Sequence, residues 1–491
     1  MTSHRPRTGS AAVRRRGVAA VVAAVLVVSA CSTSDAGTEA PGSAADGDDG
    51  TPGAVGAGAF RYPAPPPAPD ADAPEDPTVR DAVEAINARL VDDAELDTDG
   101  VEALATAGDA RHAWFVTDLM RFFSGGSAGL LVDAFEQLTA TSLDDDPDLD
   151  RSPWLSATNH MIAWDTPAYP DYRDDKSGIF LLVEPAWVPF FADDDADIDW
   201  RLVSWGGVLI DDRELGDTAP CERGCIPALD DPAVTDAAGG DWYPDDEVVF
   251  GIVEGDEVLA IPRNIAEIHE MFNLTLGDRR FAIPYCTLCG AAQAYRTDDA
   301  AATGGADEVP VLRTSGLLSR SNKVMYDLRT DSVFDTFTGA AVSGPLQEAG
   351  TVLEETTVVR TTWGEWKADH PDTTIVAEDG GIGRSYPLDP LGGRDDDGPI
   401  FPVGDVDERL DVQEFVVGVI TADGAPVAFP ADVARDTLAA GEAVAASGIE
   451  LVADGGGLRA VDESTGESVP SHEAFWFAWS QFHPDTALWA P

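Results

Sequence analysis

The chain has 491 residues, 89 of them acidic and only 31 basic, for a formal charge of −58 at pH 7. That excess of carboxylates repels nucleic acid and anionic headgroups, which excludes functions that neutralise phosphates with a basic face. A hydrophobic content of 44% is that of a globular protein with one large core or two to three smaller ones.

At the N-terminus, residues 1–16 carry five arginines and no acid, and residues 17–29 form an apolar run. Such a run is too short to span a bilayer and has the length of a signal-peptide core. Val28-Ser29-Ala30-Cys31 closes it in the manner of a lipobox. The expectation is a signal peptide over 1–30, lipidation at Cys31 and an extracytoplasmic protein anchored to the membrane through that lipid. No later apolar stretch reaches the roughly 18 residues of a spanning helix. Residues 32–77 are dominated by Ala, Gly, Pro, Ser, Thr, Asp and Glu, which bury too little apolar surface to offset chain entropy. The region 31–77 therefore reads as a lipidated cysteine followed by a disordered tether.

Helical periodicity begins near Val79, with candidates at Val79–Val91, Val101–Ala107, His112–Phe123 and Ala128–Leu138. Within the expected helical region 78–200, Ile179–Val183 reads as a strand, and a second β-like stretch lies at Leu202–Ile210. Cys221 and Cys225 lie in a Pro/Gly-rich loop, where a local disulfide is the simpler account and a share in a four-cysteine zinc site the sharper one.

The remainder repeats itself. Residues 247–262 (EVVFGIVEGDEVLAIP) align with 414–430 (EFVVGVITADGAPVAFP), each a hairpin with an acidic-Gly turn and a closing proline. Residues 363–373 (WGEWKADHPDT) and 476–486 (WFAWSQFHPDT) share W-x-x-W-x-x-x-H-P-D-T. The first copy is longer between hairpin and tryptophan motif, and its surplus contains Cys286 and Cys289. The expectation is an α+β protein, a helical N-terminal region followed by a β-rich duplicated module with copies at 201–400 and 401–491. His370 and His483, ending the two tryptophan motifs, read as caps of short helices.

Cys286-Thr287-Leu288-Cys289-Gly290 follows a strand-like run. If a second strand follows, the motif is a knuckle that turns both sulfurs toward one ion; if a helix follows, it is a dithiol redox centre. The leading expectation is a soft metal, copper or zinc, held by Cys286 and Cys289 with His269 as third ligand and Glu270 as ligand or general base. Rival expectations are a thiol oxidoreductase or metal-assisted enzyme, and an envelope scaffold without chemistry. Arg313, Ser315, Arg320 and Lys323 form a polar cluster suited to a carboxylate, sulfate or phosphate. No P-loop or H-E-x-x-H motif occurs in the sequence.

Residues 226–232, 247–262, 283–295, 313–327, 337–346, 361–373 and 475–486 together resemble the prokaryotic family catalogued as domain of unknown function 3179, over roughly residues 200–486. Members often read Tyr-Cys-Pro-Leu-Cys-Gly at the cysteine motif, where this chain has Thr287 in place of the proline. The resemblance implies a grouping by fold and no particular activity.

Overall fold

The computed structural model describes residues 60–149, 151–302, 308–393 and 398–491. The expected signal peptide, Cys31 and the first part of the expected tether lie outside the described residues. Among those described, no helix is long and apolar enough to cross a membrane.

The last part of the expected tether, from Phe60 on, packs against the helices. The Trp164 indole donates to Pro63 O at 2.8 Å, and the Arg111 guanidinium donates to Asp70 O and Ala73 O, both at 2.8 Å. These backbone carbonyls find donors on folded elements, which composition alone does not reveal. The helix Pro77–Asp93 then starts where Asp76 accepts from Thr78 N and proline fills the first turn. Helices Thr98–Ala107, Ala113–Met120, Gly126–Thr139, Pro153–Ala163 and Tyr172–Val183 follow.

The last of these corrects the strand expected at Ile179–Val183. Tyr172, Asp175, Lys176, Ile179 and Phe180 are its buried residues, a helical stripe of spacing three and four. The continuous apolar run hid that period, because a run without polar interruptions has none to display. In the second β-like stretch, the strand is Val203–Trp205.

Five sheets make up the β-rich region in a propeller-like arrangement of five blades. The first blade pairs Val203–Trp205, Leu312–Ser319, Asn322–Asp327 and Val333–Asp335. In the second, Arg279–Cys286 lies between Met271–Leu276 and Ala294–Arg296, with Glu354–Thr356 and Leu229–Asp230 at the edges. Residues 444–469 form a separate four-stranded sheet.

The two remaining blades explain the internal repeat. Hairpin Val248–Glu254/Glu257–Pro262 is flanked by antiparallel Val359–Thr362 and parallel Thr374–Val376. Hairpin Phe415–Ile420/Pro426–Pro430 is flanked in the same order by antiparallel Ser471–Phe475 and parallel Ala487–Leu488. Each tryptophan motif is a short helix, Trp363–Asp369 or Trp476–Phe482, packed on its hairpin. The second tryptophan lies over a hairpin glycine. A Cβ at Gly251 would meet the Trp366 ring at 2.5 Å, and one at Gly418 would meet the Trp479 ring at 2.2 Å. Each indole N–H donates to the threonine that ends its motif, Trp366 to Thr373 at 3.0 Å and Trp479 to Thr486 at 2.9 Å. His370 and His483 close their helices by donating their backbone N–H to Trp366 O and Trp479 O. The repeating unit is thus one blade with its helix. What lies between its second and last antiparallel strands differs between copies: Met271–Thr356 contribute to two further blades in one, and residues 444–469 form one in the other.

The helical region is not a separate body. Its core, with Trp114, Phe115, Phe180 and Trp187, continues into Trp205, Leu317 and Tyr326 of the first blade. The Trp187 indole donates to Ser315 O of that blade at 2.7 Å.

Candidate functional site

The cysteine pair sits where the central strand of the second blade ends. Arg279–Cys286 leads into a single 3-10 turn, Thr287–Cys289, and the chain returns as Ala291–Ala292 paired with Tyr285 and Cys286. Of the two continuations the sequence left open, it is the strand that follows, so no helix dipole acts on the first thiol. Gly290 makes the return possible. Its φ is +61°, and a Cβ there would meet the Phe415 ring at 2.8 Å.

This turn brings the two sulfurs to 2.7 Å from each other. Cys286 is 2% exposed and Cys289 fully buried. The Cys289 thiol lies 3.2 Å from Asn322 Oδ1 and 3.6 Å from Ser321 O, both at the turn of the neighbouring hairpin. Burial pushes the Cys289 pKa up, and the adjacent Cys286 adds to the rise.

Beside the pair, Lys323 Nζ donates to Glu270 O and lies 3.4 Å from Glu270 Oε2. Burial pulls the lysine pKa down, while the charges of Glu270 and Cys286 oppose that fall. Thr287 Oγ1 donates to Glu270 Oε1 at 3.2 Å. Glu270 takes this place because it caps the helix Arg263–His269 in the left-handed region, with φ +51°. Cys286, Thr287, Glu270, Thr314 and Lys323 share the wall of a cavity of about 90 Å³, completed by apolar side chains such as Leu288, Ile400 and Phe401. Cys289 lies behind Cys286 and off the lining.

Several residues singled out in the sequence go elsewhere. His269, the expected third ligand, has both ring nitrogens engaged, Nδ1 with Pro227 O at 2.7 Å and Nε2 with the Tyr386 hydroxyl at 2.8 Å. Arg313 forms a bidentate pair with Asp230 at 2.9 and 2.7 Å and is fully buried, so it offers no anion site. Ser315 Oγ donates to Val324 O at 2.6 Å within its own blade. Arg320 lines a different cavity, of about 300 Å³, together with Trp200, Asp335 and Phe482. Cys221 and Cys225 are joined in a disulfide, which removes both from any four-cysteine site.

The expected metal also meets the donor geometry poorly. Two thiolates on one tetrahedral zinc at about 2.3 Å each stand about 3.7 Å apart, well beyond the separation here. Among the described residues, the His, Cys, Asp and Glu donors that gather in a group of three are Asp369, His370 and Asp454, and that group contains neither cysteine.

Sequence reasoning took Thr314 and Asn322 as part of the polar cluster around Arg313 and Lys323 and did not set them beside the cysteines. The signal for Thr314 was strand alternation, which turns it to the face opposite Arg313 and Ser315. For Asn322 there was none, because its approach to Cys289 depends on how two blades meet.

A family described as a protein of unknown function (DUF3179) matches residues 223–486, which hold both tryptophan motifs and the cysteine pair. The chain belongs to that family. No curated protein and no solved structure matches it.

Proposed function

We propose that this member of the family is a thiol–disulfide redox protein of the cell envelope, with Cys286 as the reacting thiol and Cys289 as its resolving partner. The observation that carries this reading is the 2.7 Å between the sulfurs, with Cys286 alone on the cavity wall. The sulfurs need to close by about 0.7 Å to reach the roughly 2.05 Å of a disulfide bond. Closing it releases two electrons and two protons. The Glu270 carboxylate, held by Lys323 on the same wall as Cys286, accepts the thiol proton. Cys289, with its raised pKa, stays protonated until Cys286 has reacted. An exported protein suits this chemistry, since the Cys221–Cys225 disulfide persists in an oxidising compartment.

Thiol counts on the unfolded protein, taken after equilibration in redox buffers of graded potential, test the reading. The expected result is a two-electron step, separate from that of Cys221–Cys225, that Cys286→Ser and Cys289→Ser each abolish. A pair that stays reduced across the series, or that holds stoichiometric zinc or copper lost in either variant, would overturn it.

A further inference from the structure

We infer that the cavity beside Cys286 admits a small neutral hydroperoxide, hydrogen peroxide being the simplest, as the oxidant of the pair. This rests on the dithiol reading above and names what that site reacts with.

Access comes first. With Cys286 2% exposed and Cys289 fully buried, a disulfide on another folded protein does not reach either sulfur. A cavity of about 90 Å³ holds a molecule of a few heavy atoms, several times the space that a single water needs. Charge comes second. The chain as a whole carries −58, a field that repels anionic thiols and disulfides from every side. Within the cavity, Lys323 is paired with Glu270, so the wall presents no net positive charge to offset that repulsion. A neutral oxidant pays neither cost.

Hydrogen bonding comes third. Thr314 is 3% exposed, lies on the cavity wall, and its Oγ1 has no hydrogen-bond partner. A buried hydroxyl without a partner is destabilising unless a ligand supplies one. A hydroperoxide can donate to it or accept from it, while its second oxygen faces the Lys323 ammonium.

The reaction balances as follows. The Cys286 thiol gives its proton to Glu270, and the thiolate attacks one peroxide oxygen. The O–O bond breaks, and the departing hydroxide recovers the proton from Glu270 and leaves as water. Cys286 is now a sulfenic acid. Cys289 attacks the Cys286 sulfur, the S–O bond breaks as the S–S bond forms, and the second hydroxide leaves as water with the Cys289 proton. Two thiols and one peroxide yield one disulfide and two waters, and an external dithiol reductant restores the pair.

Stopped-flow oxidation of the reduced protein, carrying Cys31→Ser, Cys221→Ser and Cys225→Ser so that only the pair reports, tests the inference. Hydrogen peroxide should close the pair roughly a hundredfold faster than it oxidises free cysteine. It should also outpace oxidised glutathione, which is anionic. In Cys289→Ser, unfolding the peroxide-treated protein into a dimedone probe should label Cys286. Thr314→Val, close to isosteric, should slow the peroxide reaction roughly tenfold, and Thr314→Ser, which keeps the hydroxyl, should restore it. If redox buffer closes the pair reversibly while peroxide acts no faster than on free cysteine, or oxidised glutathione is faster, the inference falls and the dithiol reading stands. If no oxidant closes the pair, both fall.

Discussion

Two histidines, the buried His269 and the half-buried His483, keep neutral imidazoles because loss of solvent pushes each pKa down to about 4. An unfolded chain holds the same rings near 6.5, so between about 4 and 6.5 unfolding takes up protons. Their contribution to stability is therefore complete above about 6.5 and is lost as the pH falls toward 4. Thermal melts between pH 7 and pH 4.5 should show a falling midpoint, and His483→Phe, which keeps a ring over Trp479, should flatten part of that fall. Parallel profiles for parent and variant would refute the assignment. Residue type alone did not separate His269 from a metal ligand. The carbonyl of Pro227 and the hydroxyl of Tyr386 decide its role, and Tyr386 lies far along the chain. The same holds for Arg313, whose guanidinium suits a free anion as well as it suits Asp230. Glu270 and Lys323, both named from the sequence, do meet at the cysteines.

At the scale of elements, the repeat was legible because each copy needs the same few residues. A hairpin glycine leaves room for a tryptophan ring, the ring's N–H needs the threonine seven residues on, and a proline ends the returning strand. Gly251→Ala and Gly418→Ala should each destabilise the protein by about 1–3 kcal/mol, since the added methyl meets an indole that has nowhere to move. Denaturant midpoints measure this, and an unchanged midpoint in both variants would show that the tryptophans are not held against their hairpins. The repeat's boundaries were less legible. Expected as two consecutive copies over 201–400 and 401–491, it is one blade pattern interrupted by other blades, because strands join a sheet by hydrogen-bonding to partners far away in the chain. The strand expected at Ile179–Val183 failed for a related reason: its preceding turns set the period and its own residues did not.

The whole molecule joins the helices to the first blade through one core, so the change from helical to β patterning near residue 200 marks no gap in packing. A strongly acidic body of this kind is repelled by anionic lipid, and a covalent anchor answers that repulsion. We propose that Cys31 carries the anchor. Cells grown with labelled palmitate should incorporate it into the parent protein and not into Cys31→Ser, which should be released from the membrane fraction. Label retained by the variant, or absent from the parent, would remove the proposal.

From the sequence by itself came whatever depends on neighbours along the chain: helices before strands, the blade motif that recurs, and two cysteines close enough to share one turn. Periodicity and short spacing determine these, because covalent geometry limits what a few consecutive residues can do. Tertiary structure alone decided which distant side chains complete the site. Asn322 and Lys323 reach the cysteines from another blade and Thr314 shares the cavity wall with Cys286, while His269 and Arg313 are taken by other partners. A polar group is indifferent to sequence distance and bonds to whatever complementary atom the fold puts within about 3 Å.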